Sequence, residues 1–370
     1  MILRKAREDE SERLKAYFSQ HQFPGPLSLQ IQRKGSFFDK YKLYSSDYVT
    51  YILEDAQGEL QGMASLIFAP GLIDQQPQTL GFATDLRITN SRRAILSWAN
   101  HFLPLLEQER KERDCRYVFS SVAYSQKLAL NAFLRPQGLR RALPRYYLYR
   151  RFDVVGLHGR FPWAPKVLPG LKFRNAHASD IDKILAFYAS DPHSLWFPHI
   201  AKPKNFLDQI HSWLGHQLSH LQVVEDYRGE LQATYALWNS SPIEEFCPQE
   251  YSGSALTLKE SLRFFAWSGL TRTLPNVSCP LKFRYFTHLR VSHPDVFESI
   301  LARAWQSTSS QEFLLYPHYH GNLSLAPPKS YLYSRWKWGL FCLLAPNDPY
   351  PNFLQQKFES EAPLWELAFM

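Results

Sequence analysis

The sequence predicts an α/β fold with mixed sheets, built from two copies of one unit that follow each other along the chain. The chain has 370 residues, which exceeds the size at which a single hydrophobic core stops growing, so two domains are expected. Apolar residues alternate with polar ones in some stretches and recur every three or four residues in others, as in strands and amphipathic helices. Three sequence blocks of the first half also return in the second half.

The repeated blocks keep their order, and the offset between the copies grows along the chain. The first block is offset by 170 positions: Arg4, Ala6, Leu14, Ala16 and Phe18 match Arg174, Ala176, Ile184, Ala186 and Tyr188. The second is offset by 171: Asp55, Gly58, Glu59, Leu60 and Gln61 match Asp226, Gly229, Glu230, Leu231 and Gln232. The third is offset by 203: Thr84, Leu86 and Arg87 match Thr287, Leu289 and Arg290. An ordered set of matches with a growing offset indicates a duplicated domain with an insertion before its key strand.

Each predicted element follows from its pattern of apolar residues and turn formers. In the first unit, Asp55 to Gly58 forms a hairpin turn, because glycine accepts positive φ and aspartate bonds its own backbone. Pro70 and Gly71 are expected to stop the second hairpin strand. The predicted strands cover 2–6, 48–54, 60–68, 80–88, 116–122 and 146–155. Three helices are predicted: one begins at about residue 8, and the other two cover 92–109 and 126–134.

The boundary between the two predicted domains is placed at a stretch whose apolar residues follow neither a helical nor a strand period. Residues 156–170 contain three prolines and three glycines and are predicted to be a linker. The first unit is therefore 1–155 and the second 171–345, with an insertion at about 240–282 that includes a helix at 256–269. Residues 346–370 are a tail and a candidate last strand.

Composition and charge restrict the class of protein. Hydrophobic residues make up 45% against 21% charged, which is typical of a folded soluble chain. Lysine and arginine exceed the acids by 8, which favours an anionic partner, either a phosphorylated cofactor or nucleic acid. The four cysteines form no C-x-x-C pair, so they are predicted to be free thiols in a reducing compartment. The amino terminus lacks the apolar core of a signal peptide, and no apolar run is long enough to cross a bilayer, so a cytoplasmic protein without membrane contact is expected.

The order of elements in each unit resembles the GNAT (N-acetyltransferase-like) superfamily, as two tandem copies over almost the whole chain. The resemblance implies an α+β mixed sheet in which strand 80–88 and the next helix hold the pantetheine and pyrophosphate of an acyl-CoA. The family's phosphate loop reads roughly V-x-P-x-x-R/Q-G-x-G-x-G/A, and residues 88–96 keep the apolar residue, a turn former and an arginine but no glycine. The implied cofactor-binding residues are Leu86, Arg87, Ile88, Ser91, Arg92, Arg93 and Ala94.

Arg92 and Arg93 occupy the first turn of a predicted helix, where the helix dipole already places positive charge. They are interpreted either as ligands of a bound anion or as two solvated side chains. In the second copy, residues 292–295 fit the S-x-x-D capping box, and Asp295 and Glu298 would repel a phosphate. If only one copy binds the cofactor, the first copy is expected to do so.

The candidate catalytic residues lie just before each Leu-Arg pair. Asp85 is the candidate base, and His288 occupies the equivalent position in the second copy. The alternative for Asp85 is a strand-end aspartate that bonds nearby backbone. The resemblance implies a tyrosine as general acid, but Leu134 stands there when Gly138 and Leu139 are aligned on the family's Gly-Phe, so Tyr124 and Tyr146 are the remaining candidates.

Other clusters allow more than one interpretation. Arginines and tyrosines alternate between 135 and 151 and could bind the ribose phosphate of CoA or RNA, or could form a solvated face. The aromatic segment 37–48 is either core or, as the resemblance implies, a wall of the acceptor pocket. His193, His199, Tyr316, His318 and His320 lack a completing carboxylate, so no metal site is expected.

These observations predict an N-acyltransferase that transfers an acyl group from acetyl-CoA or another acyl-CoA to the amine of a small molecule or peptide. A Fem-type aminoacyltransferase that uses tRNA, and hence an RNA partner, is one alternative. A non-catalytic binding protein in which both copies have lost their chemistry is another. The acceptor, the acyl group and the oligomeric state stay open.

Overall fold

The computed structural model describes residues 1–23, 25–134, 144–190, 195–200, 202–355 and 362–367. The strands of the first half are β1 Ile2–Lys5, β2 Leu27–Arg33, β3 Tyr48–Glu54, β4 Leu60–Ile73, β5 Gln76–Ile88, β6 Cys115–Ala123 and β7 Arg145–Arg160. Those of the second half are β8 Lys172–Asn175, β9 Leu195–Phe197, β10 Gln222–Glu225, β11 Leu231–Asn239, β12 Glu244–Tyr251, β13 Lys282–Val291, β14 Glu312–Tyr319, β15 Tyr331–Leu344 and β16 Leu364–Trp365. The helices are α1 Ser11–Ser19, α2 Asp39–Lys42, α3 Arg92–Glu112, α4 Lys127–Leu134, α5 Ile181–Ala189, α6 Pro203–Ser212, α7 Gly253–Ala266 and α8 Pro294–Ser307.

One mixed sheet runs through both halves of the chain, in the order β1-β3-β4-β5-β6-β15-β7-β14-β13-β11-β10-β8. Read from its two edges, the sheet presents the same order twice, β1-β3-β4-β5-β6 in the first unit and β8-β10-β11-β13-β14 in the second. The last strand of each unit crosses to the other unit, because β15 pairs with β6 and β7 pairs with β14. These two strands also pair with each other along their whole length, so the units share a continuous hydrogen-bonded centre.

The first two sequence blocks occupy equivalent places in the units. The Arg4 guanidinium contacts Glu10 and Glu54 at 2.7 Å each, as the Arg174 guanidinium contacts Asp180 and Glu225 at 2.7 and 2.8 Å. The hairpin turns also match, since Gly58 and Gly229 both have a φ of 81°. The repeated residues thus tie the first strand, the first helix and the hairpin of each unit together in the same way.

The third block forms a bulge in each key strand. Asp85 in β5 and His288 in β13 have left-handed backbone, with φ of 55° and 53°. The register slips there, between Met63 and Ser65 opposite β5 and between Thr234 and Ala236 opposite β13. Non-glycine residues seldom adopt positive φ, and a bulge bends its strand and re-aims the backbone. Asp85 and His288 thus share the same unusual backbone geometry in the two key strands.

Four element predictions need correction. Strand β4 does not stop before Pro70 but runs to Ile73, because the absence of a side chain at Gly71 makes room for Leu80. Strand β7 continues to Arg160, so the predicted linker 156–170 begins inside a strand. Residues 27–33, interpreted as loop, form β2, which pairs with β12 of the other half. The helix of the insertion, α7, lies three residues earlier than predicted at each end.

The sheet has two faces with different coverings. Helix α3 packs on one face of the first unit, where Trp98 and Phe102 contact residues such as Val118. The opposite face carries an aromatic core that extends into both units and includes Phe82 and Phe119. The segment 362–367 packs into this core, with the Trp365 ring 5.0 Å from that of Phe82. Among the described residues of the predicted tail, Leu364 and Trp365 form the two-residue strand β16, beside β9.

None of the described helices is both apolar enough and long enough to cross a membrane.

Candidate functional site

Strands β5 and β6 of the first unit are paired over only part of their length. These parallel strands pair from Thr79 to Phe82 on β5, opposite Cys115 to Phe119 on β6, and then separate. The bulge at Asp85 lies three residues after the last paired residue, Phe82. Beyond it, β5 remains paired with β4, which is its only strand partner there in the described part of the chain. We call the space between residues 83–88 and 120–123 the first cleft; the side chains of Leu86, Ile88, Ser120 and Ser121 are half-buried there.

Helix α3 begins four residues after the end of β5. The Ser91 side chain caps it by accepting the N–H of Ala94 at 3.1 Å, and Arg92 and Arg93 are exposed in the first turn. A helix start leaves backbone N–H groups without intrahelical partners and carries the positive end of the helix dipole. The expected cofactor residues from Leu86 to Ala94 therefore lie on one continuous strand, loop and helix start beside the cleft.

Arg87 differs from the other expected cofactor residues. Its guanidinium lies over the rings of Phe18 and Phe23, 4.7 and 4.8 Å from their centroids, and donates to the Leu86 carbonyl oxygen. Burial lowers its pKa. Because the Arg87 side chain packs against these rings, we expect only the backbone of Arg87 to contact a ligand in the cleft.

The Asp85 carboxylate lies in a buried ion network. It accepts hydrogen bonds from Arg33 Nη2 at 2.6 Å and from the Tyr41 hydroxyl at 2.8 Å. Arg33 also lies 3.4 Å from Glu244, whose other oxygen is 3.0 Å from Lys40 Nζ. Burial alone would raise the pKa of Asp85, but the charges of Arg33 and Lys40 outweigh it and the pKa is lowered. A carboxylate that is held as an anion is a weak base, so this geometry disfavours the predicted catalytic role.

Arg33 and Glu244 are residues that sequence reasoning missed. Glu244 belongs to β12, far along the chain from Arg33, and only the pairing of β2 with β12 brings them together. Both segments were assigned to a loop or an insertion, and neither carries a motif. The signal that could have been used is the apolar-polar alternation of residues 27–33.

The second bulge is occupied by the chain itself. The backbone N–H of His288 donates to Glu366 Oε1 at 2.7 Å. The His288 ring is stacked on that of His216 at 5.7 Å, and burial lowers the pKa of His288 to about 3. Burial raises the pKa of Glu366 to about 7, although the His288 N–H partly opposes this. His288 is therefore a neutral, weakly basic side chain, and a protein carboxyl group fills the place in front of its N–H.

The cleft of the second unit is also closed by a side chain. Strands β13 and β14 separate after Tyr285 and Leu315, so the next residue, Tyr316, corresponds to Ser120 of the first cleft. The Tyr316 side chain is fully buried, with its ring 5.0 Å from that of Phe297. A tyrosine thus fills the space that a serine leaves open in the first unit.

The start of helix α8 differs from the predicted capping box. His293, not Ser292, is the N-cap, and its Nδ1 accepts the N–H of Asp295 at 3.4 Å. The hydroxyl of Ser292 donates instead to Gln232. The prediction failed by one position because Pro294 fixes the first helical residue. Asp295 remains at the helix start and keeps acidic charge there.

The aromatic segment 37–48 is core. Phe37, Phe38, Tyr41 and Tyr44 are buried, and the ring of Tyr44 contacts those of Phe82 and Phe197.

The remaining candidates form no second site in the described part of the chain. Arg135, Gly138, Leu139, Arg140, Arg141 and His193 lie outside the described residues. Arg150 is buried over the ring of Tyr149, and burial raises the pKa of Tyr146, which makes it a poor acid. No described group of histidines, cysteines and acids could hold a metal ion, and the four cysteines are free.

Comparison with known proteins gives structural matches only. No family model and no curated protein matches the sequence. The chain is similar to N-myristoyltransferase of Saccharomyces cerevisiae with bound myristoyl-CoA, with TM-score 0.54 and 10% identity over 93% of this chain and 79% of that one. It is also similar to a conserved protein of unknown function from Enterococcus faecalis V583 described as a probable N-acyltransferase, with TM-score 0.52 and 7% identity over 93% and 73% of the chains.

A third similar structure is the GCN5-related glucosamine N-acetyltransferase region of a fungal multi-domain β-N-acetylglucosaminidase. Its TM-score is 0.52 and its identity 12%, over 93% of this chain and 38% of that one. At such identities the similarity establishes the fold. The chain has the fold of the GNAT acyltransferases, as the order of its elements predicted.

Proposed function

We propose that this protein is an acyl-CoA-dependent N-acyltransferase that holds its acyl donor in the first cleft. The observation that carries the proposal is the difference between the two clefts. In the first unit, β5 and β6 separate beyond Phe82, Leu86 and Ser120 are half-buried, and the next helix starts with two exposed arginines. In the second unit, Tyr316 is buried at the position of Ser120, and Glu366 accepts the backbone N–H of His288.

The open cleft offers the groups that an extended pantetheine arm needs. Among the residues that the structure describes, β5 has no strand partner on its β6 side beyond Phe82, so the backbone of residues 83–88 presents hydrogen-bonding groups to the cleft. Ser120 and Ser121 keep the opposite wall small. The pyrophosphate would then reach the start of α3, where N–H groups, the dipole and the Arg92 and Arg93 side chains all favour an anion.

The bulge supplies a donor for the thioester. In the second unit, the His288 N–H donates to a side-chain oxygen of Glu366 at 2.7 Å, and this contact supports a role for the bulge N–H in binding an oxygen. We assign the equivalent N–H of Asp85 to the thioester carbonyl. A donor fixed in advance stabilises the negative charge that develops on this oxygen when the amine attacks. The new C–N bond then forms as the C–S bond breaks and the CoA thiolate leaves.

Proton removal from the amine is assigned to solvent rather than to Asp85. Apart from Asp85, residues 83–88 and 120–123 contain neither an acid nor a histidine. Asp85 is held as an anion by Arg33, and its role is to fix the bulge against the aromatic core. Acetyl-CoA is the first donor to consider and longer acyl-CoAs the next, with a small-molecule or peptide amine as acceptor.

Calorimetric titration of the full chain with acetyl-CoA, and then with longer acyl-CoAs, tests this proposal. We expect micromolar binding that weakens about tenfold or more, roughly 1.4 kcal/mol, in the double variant Arg92→Ala, Arg93→Ala. The matched control is Arg228→Ala, Arg263→Ala, which removes two exposed cations of the second unit and should leave binding unchanged. Absence of binding by every acyl-CoA would reject the proposal, and retention of tRNA by the purified protein would then favour the aminoacyltransferase alternative.

A further inference from the structure

A large groove lies in the second unit where the first unit is filled. Helix α3 has 21 residues and its counterpart α8 has 14, so α8 is about two turns shorter. In the first unit the extra turns bring Glu109 onto the edge strands, where it contacts Lys5 at 2.8 Å and accepts from the Tyr51 hydroxyl. The shorter α8 has no such residue to place there.

The second unit keeps the strands under this space. Asn175 and Gln222 pair across β8 and β10 as Lys5 and Tyr51 pair across β1 and β3. They bond each other, with Gln222 Nε2 donating to Asn175 Oδ1 at 2.6 Å, and they line an open cavity of about 810 Å³. Pockets for small molecules typically measure about 300–1,000 Å³. The groove therefore has the size of a ligand site.

The described residues that line the groove include cationic and neutral polar side chains but no acid. Arg284 is neutralised by Glu312 at 2.6 Å. Arg303 is exposed, lies over the Phe173 ring, and forms no ion pair with any described residue. Burial raises the pKa of Tyr235, which also lines the groove, to about 12, and the positive charge of Arg303 partly opposes this increase. The charge of Arg303 therefore acts inside the groove. An unneutralised cation in a concave site without acids favours an anionic ligand.

A second observation also indicates a ligand. His216 lines the groove, its side chain is 5% exposed, and its Nε2 atom has no hydrogen-bond partner in the described part of the chain. Buried polar atoms are almost always hydrogen-bonded, so an unpartnered nitrogen in a residue that lines the groove favours a ligand that supplies a partner. Tyr235, Leu237 and Trp238 provide an apolar wall in the same groove.

We propose that this groove binds a small organic anion, a carboxylate or phosphate ester with an aromatic or apolar part, whose charge is bound by Arg303. The site is independent of the acyl donor site proposed above. It lies in the second unit, at the start of β13 and the end of α8, whereas the acyl donor site lies in the first unit, on β5 and the start of α3.

The probes for the test are 2-naphthyl phosphate and 2-naphthoate, with uncharged 2-naphthol for comparison, titrated into the full chain by ligand-observed NMR. We expect both anions to bind at least tenfold more tightly than 2-naphthol. Arg303→Ala should weaken the anions at least tenfold, and Arg303→Lys, which keeps the charge, should retain most of the binding. Arg228→Ala is the matched control, and Arg92→Ala, Arg93→Ala separates this site from the first cleft; both should bind like the wild type.

A second variant, Gln222→Glu, places an acid in the groove and should abolish binding of both anions while the melting temperature stays close to that of the wild type. The proposal is wrong if neither anion binds, if 2-naphthol binds equally well, or if the folded Arg303→Ala protein binds the anions like the wild type.

Discussion

Replacement of Asp85 by asparagine separates a structural role from a catalytic one. The Asp85 and Arg33 side chains are 8% and 1% exposed, and the network of Asp85, Arg33, Glu244 and Lys40 contains two negative and two positive charges. Asparagine keeps the shape but leaves one buried positive charge uncompensated. Breaking a buried ion pair from one side costs about 3–5 kcal/mol, so we expect the free energy of unfolding to fall by that amount.

Urea denaturation followed by tryptophan fluorescence measures this change. The matched control is Asp47→Asn, because Asp47 pairs with Arg113 at a similar distance of 2.8 Å but is 49% exposed. An exposed pair contributes about 0–1 kcal/mol, so the control should remain close to the wild type. If Asp85→Asn changes stability by less than about 1 kcal/mol and yet abolishes acyl transfer, the reasoning fails and Asp85 is the base.

Three further predictions concern the two clefts. Ser120→Tyr, which copies Tyr316 into the first cleft, should weaken acyl-CoA binding at least tenfold in calorimetry, whereas Ser120→Ala should not. Tyr316→Phe should leave stability in urea unchanged or raise it by up to about 1 kcal/mol, because the hydroxyl is buried without a partner among the described residues; a clear loss would reveal a bond that the structure lacks. The pKa of Glu366 is raised from 4.5 to about 7, so between these two pH values the folded state keeps a proton that the unfolded state has lost. The free energy of unfolding of the wild type should therefore fall by about 3 kcal/mol as the pH rises from about 4.5 to about 7. Unfolding of Glu366→Gln at pH 5 and pH 8 should lack this dependence, and an unchanged dependence would show that another group titrates.

Much of the fold could be read from local pattern. The hairpin of β3 and β4 follows from Asp55 and Gly58, and helix α3 follows from the spacing of Trp98, Phe102 and Leu106, all of which are buried. The repeat identified Asp85 and His288 as equivalent before their matching backbone geometry was known. Ile95 lies three residues before Trp98, at the same helical spacing, yet it is 47% exposed.

The candidate site could be predicted only in part, because its environment comes from distant segments. The sequence predicts an acyl donor site on Leu86 to Ala94, but it does not predict Arg33, which lies on β2 and pairs with Asp85. Nor could it show that Tyr316 closes one cleft while Ser120 leaves the other open. That comparison depends on where each pair of parallel strands separates.

The sequence by itself determined the class of fold and the order of its elements, because these depend on periodicity and turn chemistry, which are local properties of the chain. Only the tertiary structure decided that the units exchange their last strands into one sheet, that Arg33 neutralises Asp85, and that Glu366 caps the second bulge. Hydrogen bonding between strands and the burial of charge depend on which residues meet, and residues far apart in the chain carry no local signal of their partners.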